Sequence, residues 1–99
     1  MQEVDDQFYK RADAHIHLSN SQISEDIGRG KVSVSNMYAT ARFNAWVSAC
    51  GWGSGEEMAE SKAETIEYFV KEFSKMLEEN LDDYIKNFDS YMQAPESNA

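Results

Sequence analysis

The amino-acid sequence predicts an all-α fold built as a bundle of three long helices. Apolar residues recur every three or four positions along most of the 99 residues, which is the spacing that places them on one face of a helix. The five glycines fall in two short segments, 28–30 and 51–55, where helices would end. A chain of this length holds one domain, so we expect a single helical domain over residues 1–92. Residues 93–99 contain no apolar side chain larger than alanine and should form a disordered tail.

The first predicted helix extends from Glu3 to Asp26. Its apolar stripe consists of Val4, Phe8, Ala12, Ile16, Ser19, Ile23 and Ile27. Gly28 and Gly30 follow this stripe, and a glycine in the left-handed conformation is a common end of a helix. We therefore expect a left-handed glycine to terminate the first helix.

The second predicted helix begins after Ser33 or Ser35, either of which can act as its N-cap, and ends at Cys50. At about 100° per residue, this helix is apolar on two sides. One side consists of Met37, Tyr38, Ala41, Ala45 and Ala49, and the other consists of Ala39, Phe43, Trp46, Val47 and Cys50. A helix with two apolar faces needs cover on both of them. We therefore place it at the centre of the fold.

The third predicted helix begins at a capping-box motif, in which Glu57 follows Ser54 by three residues. From there an apolar seam continues for about 33 residues at helical spacing. The seam consists of Ala59, Ala63, Ile66, Val70, Phe73, Leu77, Leu81, Tyr84, Phe88 and Tyr91. Asn80 is the one candidate break, because an asparagine can cap a new helix. The alternatives are a continuous third helix and a fourth helix after Asn80.

The net charge of −9 makes the chain acidic and is concentrated in its second part. Residues 1–55 carry six acidic and five basic residues, and residues 56–99 carry twelve acidic residues and four lysines. Such a surface repels phosphate backbones, so we expect no binding to nucleic acid. The charge permits a basic protein partner, and the alternative is a solvated helix face that binds nothing.

The sequence also predicts a soluble, cytoplasmic protein that does not bind membranes. No apolar run approaches the ~18 residues of a membrane span. The N-terminal segment MQEVDDQF is acidic, whereas a secretory signal begins with a basic region. The single cysteine cannot form an internal disulfide, which is typical of a reducing compartment.

Three segments carry a resemblance to a known family. They are FYKRADAHIHLSN (8–20), GKVSVSNMYATARFNAWV (30–47) and YFVKEFSKMLEENLDDYIKNF (68–88). These segments resemble the bacterial domain of unknown function family 3144, a family of small all-helical proteins. The resemblance implies a helical fold and a bacterial origin. It implies no activity, because the family has no assigned catalytic or ligand-binding residues.

No catalytic, cofactor-binding or metal-binding residue is predicted. His15 and His17 are two positions apart on a helix, so their side chains point in nearly opposite directions and cannot share a metal ion. Cys50 lies at the C-terminal end of its helix, where the helix dipole disfavours a thiolate. The acidic pairs within 78–83 indicate a solvated face more than a cation site, because no turn with calcium-binding spacing accompanies them.

Arg42 is the polar residue that most invites a functional interpretation, because it lies between the two apolar faces of the second helix. We expect a buried ion pair with a carboxylate of the same protein. The candidate partners are Asp13, Glu64, Asp82 and Asp83. The alternative is that Arg42 anchors a ligand.

The leading hypothesis for function is a non-enzymatic protein that self-associates and has an interaction or structural role. At ~1.5 Å per residue, the second helix spans about 25 Å and a continuous third helix about 55 Å, so the end of the third helix lacks cover. We expect a two-fold homodimer whose interface consists of Phe43, Trp46, Val47, Leu81, Tyr84, Ile85 and Phe88. The alternative is a small-molecule binding protein, or a small enzyme, with a pocket around Arg42 and the neighbouring aromatic residues.

Overall fold

The computed structural model describes residues 5–93. Within this range 81% of the residues are helical and none is in a strand, so the predicted all-α fold is confirmed. The helices are α1 (Phe8–Gln22), α2 (Arg29–Ala49), α3 (Gly55–Glu60), α4 (Lys62–Lys86) and α5 (Phe88–Met92). Three of the five are long, as predicted. The predicted tail lies outside the described residues apart from Gln93, and the single domain over residues 1–92 stays a prediction.

The chain divides after Gly51 into two compact units. The first unit contains α1 and α2, which form a helical hairpin. A turn centred on Ser24 connects the two helices, and its hydroxyl Oγ accepts hydrogen bonds from the backbone N–H groups of Asp26 and Ile27, at 3.3 and 3.1 Å. Between the helices, the Asn36 side chain donates a 2.8 Å hydrogen bond to Ser19 Oγ. Because the chain turns around Ser24, α1 ends at Gln22, earlier than predicted.

Gly28 has a different role from the one predicted. No described residue has a positive φ, so the expected left-handed glycine is wrong. Gly28 is extended, with φ −77° and ψ 166°, and acts as the N-cap of α2. Its carbonyl accepts a 3.3 Å hydrogen bond from the N–H of Val32, so α2 begins before Ser33. Val32 is 5% exposed and is the one buried hydrophobic residue within 5–93.

The second unit begins with the predicted capping motif. Ser54 Oγ accepts a 3.1 Å hydrogen bond from the N–H of Glu57. The carboxylate of Glu57 reaches back to the N–H of Gly53, at 2.7 Å. The two bonds satisfy N–H groups that the start of a helix would otherwise leave unpaired. Helix α3 is nevertheless short, because the backbone leaves the helical conformation at Ser61, where φ is −103° and ψ is 9°.

The long helix α4 does not break at Asn80. The Asn80 side chain donates a 2.8 Å hydrogen bond to the carbonyl of Met76 one turn earlier, so this residue stays helical and caps nothing. The interruption falls at Asn87, where φ is −112° and ψ is 26°. Asn87 Nδ2 donates to the carbonyl oxygen of Asp83 at 3.1 Å and to its side chain at 2.9 Å. The short helix α5 follows this interruption.

Candidate functional site

The apolar seam of α4 is exposed along its whole length. We call six of its side chains the α4 stripe: Ile66, Val70, Phe73, Leu77, Leu81 and Tyr84. Each is between 46% and 61% exposed, and at helical spacing they fall within an arc of about 80°. An aligned row of large, half-exposed apolar side chains is the pattern of a helix face that packs against another helix.

The second unit offers this row no helix of matching length. Helix α4 has 25 residues and is about 37 Å long, whereas α3 and α5 have 6 and 5 residues and are each shorter than about 10 Å. The half-buried positions of α4 are Thr65, Phe69 and Glu72, all in its first half. They lie about 110° around the helix from the centre of the stripe. The side of α4 that is partly covered is therefore not its most apolar side.

Helix α2 presents a second apolar surface, as its sequence predicted. We call Phe43, Trp46 and Val47 the α2 face. Their exposed fractions are again between 46% and 61%, and the rings of Phe43 and Trp46 lie 5.5 Å apart. Cys50 is exposed just beyond this face.

The opposite side of α2 is exposed as well. Met37 and Tyr38, the large residues of that side, are both accessible. The half-buried residues of the C-terminal half of α2 are Asn44 and Ser48, which are polar. The helix has almost no difference in polarity between its sides, as expected of a helix that is apolar on two faces. Large side chains of both faces are therefore exposed in the first unit.

An ordered cluster joins the end of α4 to α5. The rings of Tyr84 and Tyr91 meet edge to face with centroids 4.9 Å apart. The phenol of Tyr91 donates to the carboxylate of Asp83 at 3.1 Å, and this hydrogen bond raises the pKa of Tyr91. Ile85 and Phe88, two further residues of the predicted interface, are exposed beside this cluster.

Arg42 is exposed in the described chain, whereas we expected it to be buried. The ion pairs within residues 5–93 are Arg11 with Asp5, at 3.0 Å, and Lys75 with Glu72, at 3.2 Å, and neither includes Arg42. The apolar side chains on both sides of Arg42 are themselves exposed, so nothing removes its guanidinium from water. A role for Arg42 as a ligand anchor stays a prediction.

The four predicted partner carboxylates of Arg42 are exposed too: Asp13, Glu64, Asp82 and Asp83. Asp83 is engaged within its own segment, since it accepts from Asn87 and Tyr91. An exposed carboxylate keeps its hydration and does not require an arginine.

Residues 5–93 contain no group of three or more His, Cys, Asp or Glu side chains placed to hold a metal ion. His15 and His17 are both exposed on α1. No described helix combines the length and apolar character that crossing a membrane requires.

The predicted interface covered only part of the α4 surface. It included Leu81 and Tyr84 but omitted Ile66, Val70, Phe73 and Leu77. The sequence held the signal for these four residues, because the seam keeps its spacing from one end of α4 to the other. They were omitted because we expected the second helix of the same chain to cover the first half of the third.

Comparisons with known proteins agree with the resemblance seen in the sequence. The family model described as "Protein of unknown function (DUF3144)" matches residues 8–85. Among solved structures, the chain is similar to the NMR structure of the protein NB7890A from Shewanella sp.. The two are 38% identical, the match covers 91% of this chain and 95% of that chain, and the TM-score is 0.75. A comparison with curated proteins gives no match.

Proposed function

The chain belongs to the DUF3144 family, and we propose that it is a non-enzymatic protein that self-associates as a homodimer through the apolar faces of its long helices. One observation carries the proposal. Within residues 5–93, 24 large hydrophobic side chains are exposed and one hydrophobic residue, Val32, is buried. Burying one large apolar side chain stabilises by about 1.5–3 kcal/mol, and monomers rarely leave a large contiguous apolar patch in water. An exposed apolar surface of this size supports self-association.

The two surfaces that support this proposal are the α4 stripe and the α2 face. The α4 stripe extends along most of its helix and the α2 face along about one turn, and each consists of residues that a core would normally take up. In a two-fold dimer, one kind of contact between the copies buries such surfaces, and none of them stays exposed. Ile85 and Phe88, which are exposed next to the stripe, would extend the interface toward α5.

Assignment as a non-enzymatic protein is supported by where the reactive side chains lie. Both histidines are exposed on α1, and Cys50 lies at the C-terminal end of α2, where the helix dipole does not favour a thiolate. The alternative, a ligand pocket around Arg42, is less well supported. Arg42 and its aromatic neighbours Phe43 and Trp46 are exposed, whereas a pocket encloses most of its ligand.

Partners and compartment are part of the same proposal. We expect the acidic second part of the chain to favour a basic protein over a nucleic acid, because it repels phosphate. The lone cysteine is compatible with a reducing cytoplasm. A bacterial origin is supported by the similar structure from Shewanella sp..

A matched pair of variants tests the proposal by light scattering at micromolar chain concentration. The wild-type protein should have twice the chain mass of 11.3 kDa. Leu77→Lys places a charge in the middle of the α4 stripe and should give the mass of one chain. Glu79→Lys introduces the same charge on the opposite side of α4 and should leave the dimer intact. A wild-type protein with the mass of one chain would contradict the proposal.

A further inference from the structure

We infer that the carboxylate of Asp83 acts as a conformational latch, which holds the helix interrupted at Asn87 and thereby ends the α4 stripe at Tyr84. This latch lies within a single chain, so it does not depend on the proposed self-association. Its consequence is that one hydrogen-bonded cluster, and not the spacing of the apolar residues, sets the length of the exposed apolar surface.

The carboxylate of Asp83 is the centre of the latch. It accepts a 2.9 Å hydrogen bond from Asn87 Nδ2 and a 3.1 Å hydrogen bond from the phenol of Tyr91. Asn87 also donates to the backbone carbonyl oxygen of Asp83, at 3.1 Å. Asn87 lies at the interruption, and Tyr91 lies beyond it in α5. One carboxylate of α4 therefore contacts both the interruption and the helix that follows it.

The same spacing of residues occurs one heptad earlier in α4, where the three positions are Met76, Asn80 and Tyr84. Asn80 donates a 2.8 Å hydrogen bond to the backbone carbonyl of Met76, yet the helix continues through Asn80. A thioether is a weak hydrogen-bond acceptor, so the side chain of Met76 does not replace a carboxylate. Both sites contain the asparagine and the tyrosine. The carboxylate distinguishes the site at which the helix is interrupted.

The apolar spacing of α4 continues beyond the end of the helix. At about 100° per residue, Phe88 and Tyr91 would fall within the arc of the α4 stripe if the helix continued through them. Residues 83–92 contain no glycine or proline, so a continuous helix is open to them. In the structure the helix is interrupted at Asn87, where φ is −112° and ψ is 26°. Release of the latch should therefore straighten the segment and add two aromatic side chains to the stripe.

Backbone Cα chemical shifts, measured by NMR on the full chain, test the latch. In the wild-type protein the shifts of residues 83–92 should be helical except at Asn87, where the shift should fall toward the random-coil value. Asp83→Ala removes the carboxylate, and the shift of Asn87 should then rise into the helical range. Tyr91→Phe removes only the phenol O–H and keeps the ring, so it should move the shift of Asn87 part of the way.

The matched control is Asp82→Ala. It removes a neighbouring exposed carboxylate and makes the same change in charge and in helix propensity, so it should leave the shift of Asn87 where it is in wild type. An Asn87 shift that Asp83→Ala does not change would overturn the inference, because closeness to the end of the chain would then explain the interruption. Equal straightening by Asp82→Ala would contradict it as well, since helix propensity alone would suffice. Neither result bears on the mass of the wild-type protein, which tests the proposed self-association separately.

Discussion

At the scale of single residues, two asparagines show what sequence reasoning could not distinguish. Asn80 and Asn87 each donate a side-chain hydrogen bond to the carbonyl four residues earlier. Only Asn87 also donates a hydrogen bond to the side chain of that earlier residue, Asp83. The carboxylate of Asp83 accepts a further hydrogen bond from the phenol of Tyr91. The helix is interrupted where this additional network exists. The sequence pattern predicted Asn80 as the one candidate break and did not indicate Asn87.

The cluster around Asp83 gives a prediction about pH. The hydrogen bond to Asp83 raises the pKa of Tyr91 above the ordinary value of 10.0. Because the folded pKa is the higher one, this stabilisation is complete below the unfolded pKa and is lost as the pH rises through the folded pKa. Spectrophotometric titration, taken as the difference between wild type and Tyr91→Phe, should show a phenol with a raised pKa. Asp83→Asn should lower that pKa toward the ordinary value, and an unchanged titration would contradict the contact.

Arg42 gives a second prediction at this scale. Since its side chain is exposed and makes no ion pair within residues 5–93, Arg42→Met should change the free energy of unfolding by less than about 0.5 kcal/mol, as surface substitutions usually do. Urea denaturation measures this. A loss of about 3–5 kcal/mol, the effect of breaking a buried pair, would indicate that assembly buries Arg42 against a carboxylate after all.

At the scale of helices, the existence of each long element was predictable and its limits were not. Apolar spacing reveals that α1, α2 and α4 are helical, because the period of the pattern is the period of the helix. The start of α2 depends on the backbone at Gly28, and the start and end of α4 depend on the backbone at Ser61 and Asn87. Those dihedral angles cannot be read from the apolar pattern. The start of α3 was predictable because Ser54 and Glu57 form a local motif whose two bonds lie within five residues.

The cap of α3 can be tested on its own. Ser54→Ala removes the acceptor for the N–H of Glu57 and should destabilise the protein by about 1 kcal/mol. Ser54→Asp keeps an acceptor at the same position and should retain most of the stability. Chemical denaturation of the two variants beside wild type gives the comparison. Equal midpoints for Ser54→Ala and wild type would mean that the cap seen here contributes nothing.

At the scale of the whole molecule, 24 large hydrophobic side chains are exposed within residues 5–93 and one hydrophobic residue, Val32, is buried. The sequence revealed the apolar faces, since periodicity alone identifies Phe43, Trp46 and the α4 stripe. It could not reveal what covers them, because the residues that complete a face need not be close in the chain and can belong to another copy. For the same reason the ion pair expected for Arg42, which is exposed within residues 5–93, stays a prediction.

The central claim is self-association, and sedimentation equilibrium over a range of chain concentrations tests it most directly. The account predicts twice the chain mass of 11.3 kDa at micromolar concentration, with a thermal midpoint that rises as the concentration is raised, because folding is coupled to association. Phe88→Lys should weaken the dimer. A mass of one chain at every concentration, with a midpoint independent of concentration and Phe88→Lys still folded, would contradict the account.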